Sequence, residues 1–365
     1  MSFGARFLRH PERFPERPRG DAWGGRELWL ELPGGPYQLL GLSAGQEEGV
    51  LATFPAAQGL VPRPAAAAAL AADPAGAEPE GTVPAATAAA VPAAAAGAAV
   101  PAAAAGSAPI PIRLLRCAPD EFLPVDVRGW EYGLDFDWAP AAVKMAGLGL
   151  LGRLDWRPGG VGMGGMAGAL WTHEDGGERF PGVFENFLRV LVAYRLLELG
   201  GVVLHSAGLV KDGAAFLLLG RSGAGKTTAA RLGMARGAEV LSDDLNALVV
   251  DGSSGGAGDG AGCVVLKLPF TGDLGERRAL RPPAPLGGLL RIVQDRDDAL
   301  APLSRAETLA CLLACAPFVN VDPHRRERLE QVLLALAAAA ARRAFTLRFS
   351  LSGGFWSIID MIKLP

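Results

Sequence analysis

Eight consecutive residues, Gly220-Arg221-Ser222-Gly223-Ala224-Gly225-Lys226-Thr227, restrict what this chain can be more than any other segment. They match glycine, four variable residues, then Gly-Lys-Thr. An apolar run, Phe216–Leu219, enters the segment as a strand, and Thr227–Ala235 leaves it as a helix. Glycines let the backbone curl so that successive N–H groups converge on phosphate oxygens, and the following helix adds the positive end of its dipole. The segment therefore predicts a cradle for a nucleoside triphosphate, ATP with Mg²⁺, formed by Gly220 through Thr228. Lys226 reaches the β- and γ-phosphates and the Thr227 hydroxyl is available to Mg²⁺. Only five of the 35 basic residues are lysines, which makes a lysine at the motif position more informative.

Two aspartates, Asp243 and Asp244, follow Lys226 by seventeen residues, after one helix and one short strand. At the end of a strand beside the loop they would face the phosphates. One is expected to hold Mg²⁺ and the other to orient an acceptor hydroxyl; a polar turn that stops the strand is the plainer alternative. His205 lies inside the apolar run Val202–Ala207, either near the phosphates or as a core histidine. Arg277, Arg278, Arg281 and Arg291 are candidates for meeting γ-phosphate charge.

Around these motifs the chain divides into four expected parts. Residues 1–55 carry strand-like runs at Glu27–Glu31 and Tyr37–Leu42; 56–109 form an alanine- and proline-rich linker read as disordered; 110–180 continue the β-rich region; and 181–365 form the nucleotide-binding domain. Within the last part, Phe184–Leu199 and Arg325–Arg343 read as helices. Val202–Val210 with Ala214–Leu219 reads as a hairpin, and Ala238–Leu241, Ala247–Asp251, Cys263–Leu268 and Phe345–Leu351 read as strands. The fold class expected from this alternation is mixed α/β. The glycine cluster Gly159–Gly168 reads as a loop, and Cys311 and Cys315, four apart, as core thiols sharing a helix face. A balance of 35 basic and 38 acidic residues argues against a nucleic-acid or membrane-surface binder. With no apolar run of about 20 residues, a cytoplasmic setting is expected.

From His205 to about Val250 the order is histidine-bearing strand, turn, strand, GRSGAGKTT, helix and RGAEVLSDD. That order resembles the catalytic core of HPr kinase/phosphorylase, whose phosphate loop also stands close to an acidic pair, as in phosphoenolpyruvate carboxykinases. The resemblance implies a P-loop kinase core of that type with a smaller β-rich N-terminal region. It also implies an ATP-dependent transfer to a serine hydroxyl of a protein or peptide, and a homo-oligomer as the family's usual state. It assigns Asp244 with Thr227 to the metal, Asp243 to the acceptor hydroxyl, Lys226 to the phosphates and His205 to the active site. The glycine-rich signature after the family's acidic pair is not found here, which sets HPr itself aside as the expected acceptor. Two other readings compete: an ATP-binding regulatory or assembly module that transfers nothing, and a small-molecule kinase. A salt-bridged or averted acidic pair would favour the first of these.

Overall fold

The computed structural model describes residues 3–14, 19–54, 109–124, 133–156, 165–251, 262–270, 272, 274 and 282–362. Among them the chain is mostly β, with fifteen strands in two sheets and six α-helices. The first sheet contains β1 (Arg26–Leu30), β2 (Tyr37–Leu42), β3 (Ile110–Arg116), β4 (Asp135–Ala139), β5 (Ala142–Gly147), β6 (Leu150–Trp156) and β7 (Met166–Thr172), ordered β1-β2-β3-β7-β6-β5-β4. β2, β3 and β7 are parallel; the remaining pairings are antiparallel. Helix α1 (Ala44–Thr53) follows β2. Its first turn is closed by a capping box in which Ser43 accepts from the Gln46 N–H and the Gln46 side chain accepts from the Ser43 N–H.

Helix α2 (Phe180–Glu198) is apolar nearly all round, the pattern of a helix covered on every side. It packs on β6 and β7 of the first sheet and on β8 (Gly201–Lys211) of the second. A single buried cluster consequently runs through both sheets, from Leu114 and Leu170 through Phe184 and Phe187 to Leu204, Leu248 and Leu289.

The second sheet adds β9 (Ala214–Leu219), β10 (Glu239–Ser242), β11 (Leu245–Val250), β12 (Cys263–Lys267), β13 (Ala284–Gln294), β14 (Ala299–Pro302) and β15 (Ala344–Phe349). β8 pairs with β9, β9 with β13, β13 with β12, and β12 with β11, which returns to β8. That circuit closes a five-stranded barrel. β10 lies along β8, while β15 and then β14 extend outward from β13. Since β9, β13 and β15 run parallel, their C-terminal ends share one edge. Helix α3 (Lys226–Met234) packs on β8 and β10, whereas α4 (Arg305–Cys315) and α5 (Arg326–Ala339) pack on each other and on β8. Helix α6 (Phe355–Ile359) covers β14 and β15.

This architecture overturns the expected fold class. A mixed α/β domain with a kinase core of the HPr kinase and phosphoenolpyruvate carboxykinase type does not describe two largely β sheets, one of them closed as a barrel. Each local pattern is compatible with either arrangement; what decides is which strands pair, and barrel closure depends on contacts far apart in sequence. The eleven-residue β13, which pairs with both β9 and β15, is a strand beyond those expected, as are the strands of the β5–β6 hairpin. α1 is likewise beyond the expected elements, although Ser43 and Gln46 stand at capping-box spacing. Part of the glycine cluster read as a loop belongs to β7, and residues 159–164 of it lie outside the described set, as do residues 56–108 of the expected linker. No helix among the described residues is long and apolar enough to cross a membrane.

Phe187 tests the shared core directly. Its ring is fully buried and fills the space that Gly152 and Gly168 leave on adjacent strands. Phe187→Ala is expected to lower stability by about 3–5 kcal/mol in urea denaturation, the usual cost of removing a buried phenyl ring; a loss under about 1 kcal/mol would contradict the packing.

Candidate functional site

The site begins where β9 ends. Residues 220–225 turn out of the parallel edge, and α3 starts at Lys226 with Gly225 as its N-cap. Gly223 and Gly225 take φ of 76° and 95°, in the left-handed region where a Cβ is disfavoured. Gly225 is also pressed against its neighbours: a Cβ there would lie 2.9 Å from Phe349 Cζ and 3.1 Å from Gln294 Nε2. Helices α1 and α4 each have a complete capping box, while α3 has no side-chain cap at all. Its first-turn amides thus point at the loop without a side-chain partner.

Lys226 is buried, and its ammonium donates to the carbonyls of Gly220 at 3.0 Å and Arg221 at 3.2 Å. Burial pulls its pKa below the usual lysine value, partly offset by Cys315 and Asp244 nearby. Cys315, on α4, is buried against the Gly220 N–H, so α4 supports the loop from behind; desolvation raises its thiol pKa. Arg221, Ser222, Gly223 and Thr228 are exposed, and Ala224, Gly225 and Thr227 are half-buried.

Asp243 and Asp244 occupy the step where the chain passes from β10 to β11, both of which pair with the same edge of β8. Ser206 of β8 is the common attachment. Its N–H donates to the Asp244 carbonyl at 2.9 Å, and on its other edge it stands opposite Leu219, the last residue before the loop. Loop and acidic pair therefore flank one strand residue.

Adjacent residues at a strand end point different ways, and the two carboxylates have separate company. Asp243 is buried; its Oδ2 accepts from the Thr227 hydroxyl at 3.3 Å and from the Leu274 N–H at 3.2 Å. Gly272 stands so close that any side chain there would collide with the Asp243 carboxylate. Asp244 Oδ2 pairs with Arg189 of α2 at 2.8 Å, and its Oδ1 is 3.8 Å from Nε2 of the partly exposed His205. The same guanidinium binds buried Glu185 one turn earlier, through Nε at 3.2 Å and Nη2 at 2.8 Å, and lies over the Phe270 ring.

Thus Thr227 and Asp243 meet at the start of α3, Asp244 lies beside them paired with Arg189 and near His205, and the Lys226 ammonium is turned to the loop carbonyls with Asp244 near enough to act on its charge. The resemblance had put Asp244 next to Thr227; the structure puts Asp243 there. Arg291 is held by the Thr346 hydroxyl at 2.7 Å and by Glu307 at 3.9 Å, and Arg277, Arg278 and Arg281 lie outside the described residues. Arg189 and Glu185 were not anticipated, although charges at i and i+4 in an otherwise apolar helix are a legible signal. Among the described residues no group of three or more His, Cys, Asp or Glu is placed to hold a metal ion. Mg²⁺ at a phosphate loop takes one or two protein carboxylates and completes its shell with phosphate and water oxygens, and the hydroxyl and carboxylate oxygens at Thr227 and Asp243 fit that need.

Fold and site together define a β-barrel domain with a glycine-rich loop facing an acidic step. A protein-family model described as SynChlorMet cassette protein ScmC matches residues 184–363, a span that includes Arg189, the loop and the acidic pair and leaves the first sheet outside. No curated protein matches the chain. The similarity is to ScmC and not to an HPr kinase family, and with the barrel it overturns the resemblance drawn from His205 to Val250.

Gly225→Ala is expected to destabilise the domain by about 1–3 kcal/mol, from its disfavoured φ and its contact with Phe349. The thermal transition measures this, and an unchanged midpoint would show that the loop tolerates a side chain.

Proposed function

We propose that the barrel domain binds a nucleoside triphosphate with Mg²⁺, ATP being the expected one, and transfers its γ-phosphoryl group to a hydroxyl. The observation that carries this reading is the Thr227 hydroxyl 3.3 Å from the Asp243 carboxylate at the uncapped start of α3. A phosphate-loop Ser or Thr together with an aspartate on a neighbouring strand is the pair that holds Mg²⁺ in phosphate-loop nucleoside triphosphatases. Mg²⁺, when bound, neutralises phosphate charge. The loop amides and the α3 dipole would hold the phosphates, and Lys226 would exchange its two carbonyl partners for phosphate oxygens. Asp243, engaged with Thr227 and the Leu274 N–H, suits metal holding better than proton acceptance. His205, half-exposed with Asp244 behind it, is the better-placed proton acceptor for an incoming hydroxyl.

No residue of the site singles out serine, so the acceptor is a hydroxyl on a protein, peptide or small molecule. One observation favours a second reading, nucleotide binding without transfer: Asp244 is salt-bridged to Arg189.

Incubation of the purified chain with γ-labelled ATP, Mg²⁺ and cell lysate, read beside calorimetric nucleotide binding, separates the two. Transfer is expected, abolished by chelation and by Asp243→Asn. Lys226→Ala is expected to weaken nucleotide binding roughly ten-fold or more, the loss of a charge-assisted hydrogen bond. Binding with no label on any acceptor supports the second reading, and no binding at all refutes both.

A further inference from the structure

We infer that Arg189 makes the site selective for a nucleoside triphosphate over a diphosphate; the inference rests on the nucleotide-binding reading above. Electrostatics motivates it. The acidic step places Asp243 and Asp244 beside a loop built for phosphates, and Asp244 is near enough to Lys226 for its charge to act on that ammonium. A terminal phosphate brought to this rim meets two carboxylates. Thr227 and Asp243 would hold Mg²⁺, which would neutralise one of them. Asp244 is not in that group, and its counter-charge is the Arg189 guanidinium at 2.8 Å.

Arg189 is held for the task. Glu185 grips it from one turn earlier on α2, the Phe270 ring covers it, and α2 itself is clamped between the two sheets. A guanidinium so fixed loses little conformational freedom on meeting a phosphate and keeps its charge at any working pH. Removing it changes the charge of Glu185, Arg189 and Asp244 together from −1 to −2, at the place a γ-phosphate would approach. A diphosphate, anchored by the loop amides and Lys226 farther back, would feel the change much less, because the interaction weakens with distance and screening.

The test compares Mg-ATP and Mg-ADP binding by calorimetry in the full chain, with Arg189→Leu, Asp244→Asn and the double variant. Arg189→Leu is expected to weaken Mg-ATP about ten-fold or more while Mg-ADP changes less than about three-fold. The double variant, which removes the carboxylate as well, is expected to recover Mg-ATP binding to within about three-fold of wild type. Asp244→Asn alone should bind Mg-ATP at least as tightly as wild type, which keeps the test decisive if Arg189→Leu fails to fold. Equal weakening of both nucleotides, no recovery in the double variant, or clear loss of Mg-ATP binding in Asp244→Asn overturns the inference and leaves nucleotide binding standing. A wild type that binds neither nucleotide overturns the parent reading, and this one with it.

Discussion

Strand β8 is the constraint on which the rest of the second sheet depends. Its C-terminal half pairs with β9 on one edge and β10 on the other, and its N-terminal half pairs with β11. An eleven-residue strand with three partners is what lets the barrel close and still carry β10 beside it. The change of partner falls at His205 and Ser206. The chain on the far edge has to step there from β10 to β11, and the step is Asp243-Asp244. The loop and the carboxylates face each other because both are fastened to this one stretch of backbone.

Helix α2 ties that arrangement to the first sheet. Its burial on two sides is a large apolar contribution, but it also carries Glu185 and Arg189 into a partly desolvated place. A paired charge under cover is weak evidence for stability, since desolvation offsets much of the attraction. Such a pair is better understood through what it holds, and here the guanidinium holds Asp244. The first sheet packs against the helix that supplies the counter-charge.

Much of the secondary structure was legible. The α2 and α5 helices, the β8–β9 hairpin and strands β10, β11, β12 and β15 lie close to their expected bounds, because their apolar spacing is local information. The failures share a cause. β13 is obscured in the sequence because Gly287-Gly288 interrupts its apolar run, and its identity as a strand comes from β9 and β15 on either side.

The sequence by itself determined the glycine loop and the helix start that follows it, because both reside in eight contiguous residues whose backbone freedom and side chains are local properties. It also placed an acidic pair within reach of that loop. Only the tertiary structure decided how the pair divides. Neighbouring residues at a strand end project differently, so Asp243 meets Thr227 while Asp244 meets Arg189, a residue of a helix that precedes both in the chain. No spacing in the sequence encodes that meeting. It follows from the closure of the barrel and from the packing of α2 between the two sheets.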